Sequence, residues 1–371
     1  MSLTFAIVGS GWRSEFFLRI AAALPGRFRV SGLVTRSSDT AADIERRWGV
    51  RGYSDIDGLL AAGVPDFVVV SVPRDAAPGI IVDLVERGVP VLTETPPAND
   101  VDDLVALWDR VGRPGMPTVQ VAEQYHLSPL LSAQLAVARS GRLGRPSQAL
   151  VAQCHDYHGV SVMRRALGIG ADEAVITASV FRSPLVAGPG RAGDPTEERV
   201  VTATQTTARF DFGDRLGVYD FAGEQYFSWI RGNRLLIRGE RGEIENGEVR
   251  HLRRFDEPVF DSLQRVMTGE GGNLEGMFLR GILLGDEWVF RNPFRPARLN
   301  DDEIAIARML GAMPEAIAGV APVYSLAEAS QDHYLALLMQ QAVATGTSVR
   351  SARQPWADVV DEELRVREVS G

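Results

Sequence analysis

At 371 residues the chain is long enough for two domains, and its 45% apolar and 23% charged residues are typical of a soluble globular protein. The net charge of −9 argues against nucleic-acid binding, and the single cysteine, Cys154, excludes an internal disulfide and a cysteine-based zinc site. Because no apolar run approaches about 18 residues and no charged segment precedes the first strand, the sequence predicts a cytoplasmic protein without a signal peptide or membrane span.

The first predicted elements are a strand, a glycine turn and a helix. The strand ends at Gly9, and Gly11 follows it in a G-x-G-x-x-S pattern whose last residue is Ser14. In this context such a turn binds a dinucleotide, because Gly9 permits the tight turn and Gly11 lets the backbone approach the pyrophosphate. Trp12 and Arg13 at the helix start are also predicted cofactor contacts, with a solvent-facing Arg13 as the alternative.

The second predicted strand ends in Thr35, Arg36 and Ser37, with no carboxylate before Asp39. An acidic residue at this position bonds the ribose hydroxyls of NAD, whereas a guanidinium and hydroxyl groups suit a 2′-phosphate. The three residues therefore predict NADP as the cofactor, with NAD as the second choice. The alternative is that Arg36 is only a surface arginine in a loop.

Further strands and helices alternate up to residue 122. One nearly all-apolar strand ends at Val72 and Pro73, and the next ends at Glu94. These three residues are predicted cofactor contacts, because ligands of open parallel sheets bind at the carboxyl ends of the strands. The alternation predicts an α/β fold with a doubly wound parallel sheet, the Rossmann fold, over residues 1–122.

The pattern changes at residue 123 to strands joined by short turns, with helices at both ends. The sequence predicts an α+β substrate and oligomerisation domain over residues 123–371, with a large, mostly antiparallel sheet and C-terminal helices that pack back on the first domain. The predicted strands are 148–153, 200–212, 215–221, 234–238 and 243–250, and the predicted helices are 129–140, 300–318 and 325–344. Residues 358–371 are charged and predicted to form a mobile tail.

This order of domains and motifs resembles the glucose–fructose oxidoreductase / inositol dehydrogenase (Gfo/Idh/MocA) family. The family's G-x-G-x-x-G is similar to residues 9–14, its V-L-C-E-K-P to residues 91–96 and its N-R-R-F-x-P to residues 124–129. Its D-x-G-x-H-x-x-D-x-x-R-x-L-x-G is similar to residues 154–168. The resemblance covers essentially the whole chain.

The resemblance implies an enzyme that passes a hydride between a nicotinamide and a sugar or polyol, while side chains move the proton. In register, Thr95 replaces the family's lysine, Cys154 replaces its aspartate, and His158 retains its histidine. A threonine hydroxyl is no base near neutral pH, whereas an imidazole exchanges protons there. If residues 154–158 are extended, Asp156 lies on the same face as His158 and can orient it. His158, Asp156 and Thr95 are thus the predicted catalytic residues, with a merely binding His158 as the alternative.

Other residues in these segments are predicted to touch the substrate. Glu123, Tyr125 and His126 follow a strand of the parallel sheet and are expected to line the cleft, and Cys154 is a further candidate. His155 and His158 lack an evident third ligand, so no metal is predicted.

Three functions remain open from the sequence. The first is an NADP-dependent oxidoreductase acting on a sugar, polyol or related hydroxy or keto compound. The others are a catalytically silent dinucleotide-binding sensor or partner subunit, and an enzyme that uses its cofactor transiently in a net non-redox reaction. The expected partners are a small-molecule substrate and a second copy of the chain, as a homodimer or homotetramer, with no nucleic acid or membrane.

Overall fold

The computed structural model describes residues 2–274, 276–320 and 322–370, and the chain divides into two compact units. The first unit comprises Met1–Leu131, Arg265–Gly281 and Arg291–Ser330. The second comprises Ser132–Gln264, Ile282–Phe290 and Gln331–Gly371. The first unit thus extends past residue 122, the predicted domain limit, and takes in two later segments.

A six-stranded parallel sheet forms the centre of the first unit. Its strands are β1 (Leu3–Val8), β2 (Phe28–Val34), β3 (Gly52–Tyr53), β4 (Phe67–Val70), β5 (Val91–Thr93) and β6 (Val119–Val121). Their order in the sheet is β3-β2-β1-β4-β5-β6, and every pair is parallel. The strand order reverses between β1 and β4, and such a point opens a ligand crevice at the carboxyl ends of the two strands.

Five helices connect these strands: α1 (Ser14–Ala23), α2 (Ser38–Trp48), α3 (Ile56–Ala62), α4 (Ala77–Glu86) and α5 (Val101–Val111). Side chains that accept a backbone N–H start three of them: Ser37 for α2, Asp55 for α3 and Asp100 for α5. The apolar faces of α4 and α5 pack on buried valines of the sheet, which include Val68 and Val70. This burial is the main source of the unit's stability.

The later elements are α6 (Pro129–Arg139), β7 (Pro146–Ala152), α7 (Asp156–Leu167), β8 (Val175–Val186), β9 (Val200–Asp211), β10 (Leu216–Ala222), β11 (Arg234–Gly239), β12 (Gly242–Glu245), β13 (Glu248–Arg254), β14 (Glu257–Thr268), β15 (Phe278–Leu284), β16 (Glu287–Arg291), α8 (Asp301–Ile317), α9 (Leu326–Thr345), β17 (Val349–Arg350) and α10 (Ala357–Ser370). The eleven strands form one sheet in the order β16-β15-β14-β13-β12-β11-β7-β10-β9-β8-β17. From β14 to β17 in this order, every neighbouring pair of strands is antiparallel except β7 with β10, which is parallel. The predicted fold class is confirmed.

Five strands of this sheet, β8, β14, β15, β16 and β17, are absent from the sequence prediction. In β8, exposed side chains such as Phe181 stand beside polar ones, and Pro184 interrupts the alternation. The strand forms because it pairs with β9 along its whole length, from Val175 opposite Asp211 to Val186 opposite Val200. Such pairing depends on a partner that local patterning does not reveal.

The prediction of a mobile tail is wrong for residues 358–370, because α10 occupies them, and residue 371 lies outside the described residues. The helix is anchored by Trp356, which is fully buried and donates its indole N–H to Gln331 at 2.9 Å, and by the buried Val360. None of the helices that the structure describes is long and apolar enough to cross a membrane.

Candidate functional site

The glycine turn lies at the point where the strand order reverses. Gly9 has a φ of 112°, and a Cβ atom built on it would lie 2.0 Å from the carbonyl oxygen of Ser71, which follows β4. Ser14 donates its hydroxyl to the Gly9 carbonyl at 3.0 Å and so closes the turn from the helix side. A Cβ on Gly11 would meet no atom within 4 Å. The turn is therefore closed at Gly9 and open at Gly11, as the approach of a pyrophosphate requires.

Arg13 connects the glycine turn to two other predicted segments. Its Nε donates to Glu94 Oε1 at 2.8 Å, its Nη2 donates to the Gln124 side-chain oxygen, and its guanidinium lies 5.2 Å from the centre of the Phe16 ring. Only 16% of the Arg13 side chain is exposed, so the solvent-facing alternative is wrong. Contact with cofactor phosphates stays a prediction for Arg13 and for Trp12, which is exposed.

The Arg13 network extends to the first turn of α8. Gln124 donates to Asp302 Oδ1 at 3.2 Å, and the next residue, Glu303, pairs with Arg19 of α1 at 2.6 Å. Burial raises the pKa of Asp302 above its usual value, although the charge of Arg13 acts in the opposite direction. Gln124 and Asp302 are absent from the predicted site, because nothing local links residue 124 to residue 302.

The raised pKa of Asp302 gives a stability prediction. A carboxylate whose pKa is higher in the folded than in the unfolded state costs stability once it is ionised. Asp302→Asn keeps an acceptor for Gln124, so we expect a higher Tm than wild type at pH 7 and a gain that shrinks as the pH falls towards about 4.

Thermal unfolding followed by circular dichroism at several pH values measures this effect. The matched control is Asp301→Asn, which removes the negative charge and one of the two acceptors that Arg265 bonds at 2.8 Å, and should lower the Tm at pH 7. A lower Tm for Asp302→Asn at pH 7 would contradict the prediction.

The residues after β2 form the predicted 2′-phosphate site. The Thr35 hydroxyl lies 2.9 Å from that of Ser10 in the glycine turn, and the Ser37 hydroxyl accepts the Thr40 N–H at the start of α2. Arg36 is exposed, and among the described residues its side chain has no hydrogen bond or ion pair. An arginine thus stands beside a helix N-terminus, where anions bind.

The other predicted cofactor contacts follow β4 and β5. Val72 is half-buried, with a methyl group 3.2 Å from the Cβ position of Gly9, and Pro73 is exposed. Glu94 donates its N–H to the Val70 carbonyl at 2.9 Å, which fixes it at the end of β5. Thr95, joined to Pro96 by a cis peptide bond, is half-buried.

The segment after β6 is less open than expected. Glu123 is fully buried, and its carboxylate accepts the N–H of Tyr125 at 3.0 Å. The prediction that Glu123 lines a cleft is therefore wrong, since its carboxylate shapes the turn after β6. His126 is 9% exposed and its ring lies 5.8 Å from that of Tyr324, while Tyr125 is half-buried.

In the second unit, residues 154–158 are not the predicted extended segment. Asp156 begins α7 with a φ of 40°, and His158 lies in the same first turn. The side-chain alternation of an extended strand, which would place Asp156 and His158 on one face, therefore does not apply. The Asp156 carboxylate instead accepts from Gln340 of α9 at 3.3 Å. Cys154 is fully buried, so the prediction that it contacts substrate is wrong.

The first turn of α7 is held by tyrosines instead of a side-chain cap. The Tyr219 hydroxyl accepts the N–H of Asp156 at 2.9 Å, and the Tyr226 hydroxyl accepts that of His155 at 2.9 Å. The half-buried His158 ring lies between two others, with its centre 4.3 Å from Tyr157 and 4.8 Å from His155. Burial raises the pKa of Tyr219 far above its usual value, so its phenol is neutral.

Sequence reasoning missed Tyr219 and Tyr226, because only the fold of the second sheet brings them to α7. His155 was available in the motif but was not among the predicted catalytic residues. Across the residues that the structure describes, no three His, Cys, Asp or Glu side chains are grouped to hold a metal ion.

Comparison with known proteins agrees with this geometry. The profile of an oxidoreductase family with an NAD-binding Rossmann fold, Gfo/Idh/MocA, matches residues 3–122, the part that carries the glycine turn, Arg36 and Glu94. Over this domain, about a third of the chain, the sequence is similar to the Gfo/Idh/MocA family. The profile does not extend over the segment of His158.

Among curated proteins, inositol 2-dehydrogenase 2 of Saccharopolyspora erythraea is 28% identical over 149 residues. The match spans 39% of this chain and 43% of that enzyme, less than half of either. Solved structures share the fold over nearly the full length. Levoglucosan dehydrogenase in complex with NADH and levoglucosan has a TM-score of 0.68 at 16% identity, with 95% of this chain and 100% of that chain covered. An oxidoreductase from Agrobacterium radiobacter, solved with NAD+, L-tartaric acid and magnesium, has a TM-score of 0.66 at 16% identity, covering 94% and 98%.

Proposed function

We propose that this protein is a member of the Gfo/Idh/MocA family and an NADP-dependent oxidoreductase that acts on a sugar, polyol or related hydroxy or keto compound. The observation that carries the proposal is the glycine turn, closed at Gly9 by Ser71 and open at Gly11, at the strand-order reversal of the parallel sheet. The inositol and levoglucosan dehydrogenases that it resembles support the substrate class.

The proposed roles of the residues follow from their chemistry. A nicotinamide supplies the acceptor or donor of the hydride when it is bound. His158, half-buried in the first turn of α7, takes the proton of the substrate hydroxyl during oxidation and returns it during reduction. Thr95 donates or accepts a hydrogen bond to the substrate in the position of the family's lysine. Asp156 supports the start of α7, because its carboxylate accepts from Gln340 and its N–H donates to Tyr219. It does not orient His158 directly.

Arg36 carries the proposed preference for NADP. Its unpaired guanidinium would hold the 2′-phosphate, while Asp at the same place would bond ribose hydroxyls and repel the phosphate. We expect Arg36→Asp to weaken NADP binding about tenfold or more, the worth of one charged hydrogen bond, and to favour NAD. Fluorescence titration of both cofactors measures the two Kd values.

Arg74 is an exposed arginine that follows β4. The variant Arg74→Asp is the control for a general loss of positive charge. It should change the ratio of the two Kd values little. Equal losses for NADP and NAD in Arg36→Asp would show that Arg36 does not read the 2′-phosphate.

Turnover assays test the function itself. The protein is incubated with NADP or NAD and a panel of sugars, polyols and their keto forms, and nicotinamide absorbance and product formation are both followed. Steady cofactor reduction with at least one alcohol is the expected result. Product formation without net cofactor change would instead favour an enzyme that uses its cofactor transiently.

The hydroxyl of Thr95, where the family has a lysine, favours a second candidate function, a silent dinucleotide-binding sensor or partner subunit. That protein would bind the cofactor and turn over no member of the panel. We also propose a homodimer or homotetramer, since an open sheet face is commonly covered by a second copy. Light scattering coupled to size-exclusion chromatography measures the mass against 40.4 kDa for one chain.

A further inference from the structure

The start of α7 carries a second imidazole beside the proposed base. The rings of His155 and His158 lie with their centres 4.8 Å apart and their planes at 90°. His155 is exposed, whereas His158 is half-buried. The motif that residues 154–168 resemble has a variable residue at the position of His155, so the resemblance assigns it no role.

Tyr226 fixes the orientation of the His155 ring. Its hydroxyl oxygen lies 2.5 Å from His155 Nδ1 and also accepts the backbone N–H of His155 at 2.9 Å. The phenol ring packs edge-on against Phe221 with 4.9 Å between ring centres, and its neighbour Gln225 bonds the Ala152 carbonyl at 2.6 Å. The hydroxyl is thus set in place from both its own segment and β7.

The hydrogen-bond capacity of the phenol suggests which tautomer His155 adopts. A phenol oxygen offers one proton and two lone pairs, and the N–H of His155 already takes one lone pair. The phenolic proton then has Nδ1 as a close acceptor, and an imidazole that accepts at Nδ1 carries its own proton on Nε2.

We propose that the Tyr226 hydroxyl donates to Nδ1 of His155 and holds it as the Nε2–H tautomer, which makes His155 a second catalytic residue that donates to the substrate oxygen. The inference rests on the proposed oxidoreductase function. During oxidation the O–H bond breaks and its proton passes to His158, while the C–H bond breaks and its hydride passes to NADP+. The carbonyl double bond forms, and the N–H of His155 stabilises the negative charge that develops on oxygen.

The neighbouring residues do not take this role. The Asp156 carboxylate accepts from Gln340, and the Tyr219 hydroxyl accepts the backbone N–H of Asp156. In this protein Thr95 offers only a neutral hydroxyl where the family has a lysine. A further donor to the substrate oxygen would therefore help to stabilise the charge that develops there. His155 supplies one from the same turn of α7 as the base.

Two variants test the proposal in the full-length protein with saturating NADP. His155→Asn should lower kcat about 100-fold, as the loss of a donor to a developing oxyanion does, and leave the Kd for NADP unchanged. Tyr226→Phe should lower kcat about tenfold, the effect of one lost hydrogen bond, and leave KM within about twofold. The controls are His251→Asn on β13 and Tyr334→Phe, which removes a phenol oxygen that likewise accepts a backbone N–H, that of Ala352. Both controls should keep the wild-type kcat.

A second measurement does not depend on activity. The chain has five histidines, so 15N NMR can assign the two nitrogens of each ring, with His155→Asn identifying the signals of His155. Wild-type His155 should be the Nε2–H tautomer when neutral, Tyr226→Phe should mix the two tautomers, and Tyr334→Phe should change nothing. A protonated Nδ1 in the neutral wild-type ring, or an unchanged kcat in His155→Asn, overturns the proposal. Wild-type protein that turns over no alcohol or ketone overturns the proposed function instead, and the role of His155 as a donor fails with it.

Discussion

Replacing Gly11 with alanine is expected to lower dinucleotide affinity at least tenfold without changing the stability of the free protein. A Cβ at this position meets no protein atom within 4 Å, so the protein itself accommodates it. The same methyl group would stand where the pyrophosphate approaches the backbone, and a displaced phosphate loses charge-assisted hydrogen bonds worth about 1.5–3 kcal/mol each. Isothermal titration calorimetry with NADP and thermal unfolding without it measure the two effects separately.

Gly9→Ala is the matched comparison, because it adds the same methyl group two residues earlier. There the Cβ would lie 2.0 Å from the Ser71 oxygen, and φ is 112°. We expect Gly9→Ala to lower the free energy of unfolding by more than about 2 kcal/mol even without cofactor, from steric overlap and backbone strain together. Equal cofactor affinities for Gly11→Ala and the wild type would contradict the placement of the pyrophosphate at this turn.

Replacing His158 with asparagine is expected to lower kcat about 10²- to 10⁴-fold, the usual contribution of a general acid or base. Asparagine keeps hydrogen-bonding groups and a similar size near the ring but cannot take up a proton. Because His158 lies in the second unit, away from the glycine turn in the chain, the Kd for NADP should stay at its wild-type value. Single-turnover kinetics with a substrate found in the panel measure the hydride step directly.

His251→Asn serves as control here too, since His251 lies on β13 and carries no proposed role. A structural role for His158 would lower the Tm and leave kcat per folded molecule nearly unchanged. That pattern would contradict the assignment of His158 as the base. Loss of kcat with an unchanged Tm would support it.

The parallel sheet was predictable because its signals are local. Continuous apolar strands such as residues 67–70 alternate with helices that start at capping residues, and the G-x-G turn follows the first strand. The backbone at Gly9 and the capping box of Asn300 with Glu303 are likewise encoded within a few residues. Periodicity, caps and turns act over short stretches of chain, so one sequence reveals them.

The second sheet was predictable only in class. β8 looks unlike a strand and forms because β9 pairs with it, while α10 looks like a mobile tail and is ordered by Trp356 and Val360. These elements depend on partners far away in the chain, and local patterning carries no information about a distant partner.

The sequence by itself determined the dinucleotide turn, the arginine after β2 and the retention of His158. Only the tertiary structure decided what each side chain touches. It paired Arg13 with Glu94 and Gln124, buried Glu123 and Cys154, and placed Asp156 and His158 on one helical turn instead of one strand face. It also brought Tyr226 to His155, 71 residues apart in the chain. The physical reason is that a motif fixes the backbone over a few residues, whereas side-chain partners come from whichever elements pack there.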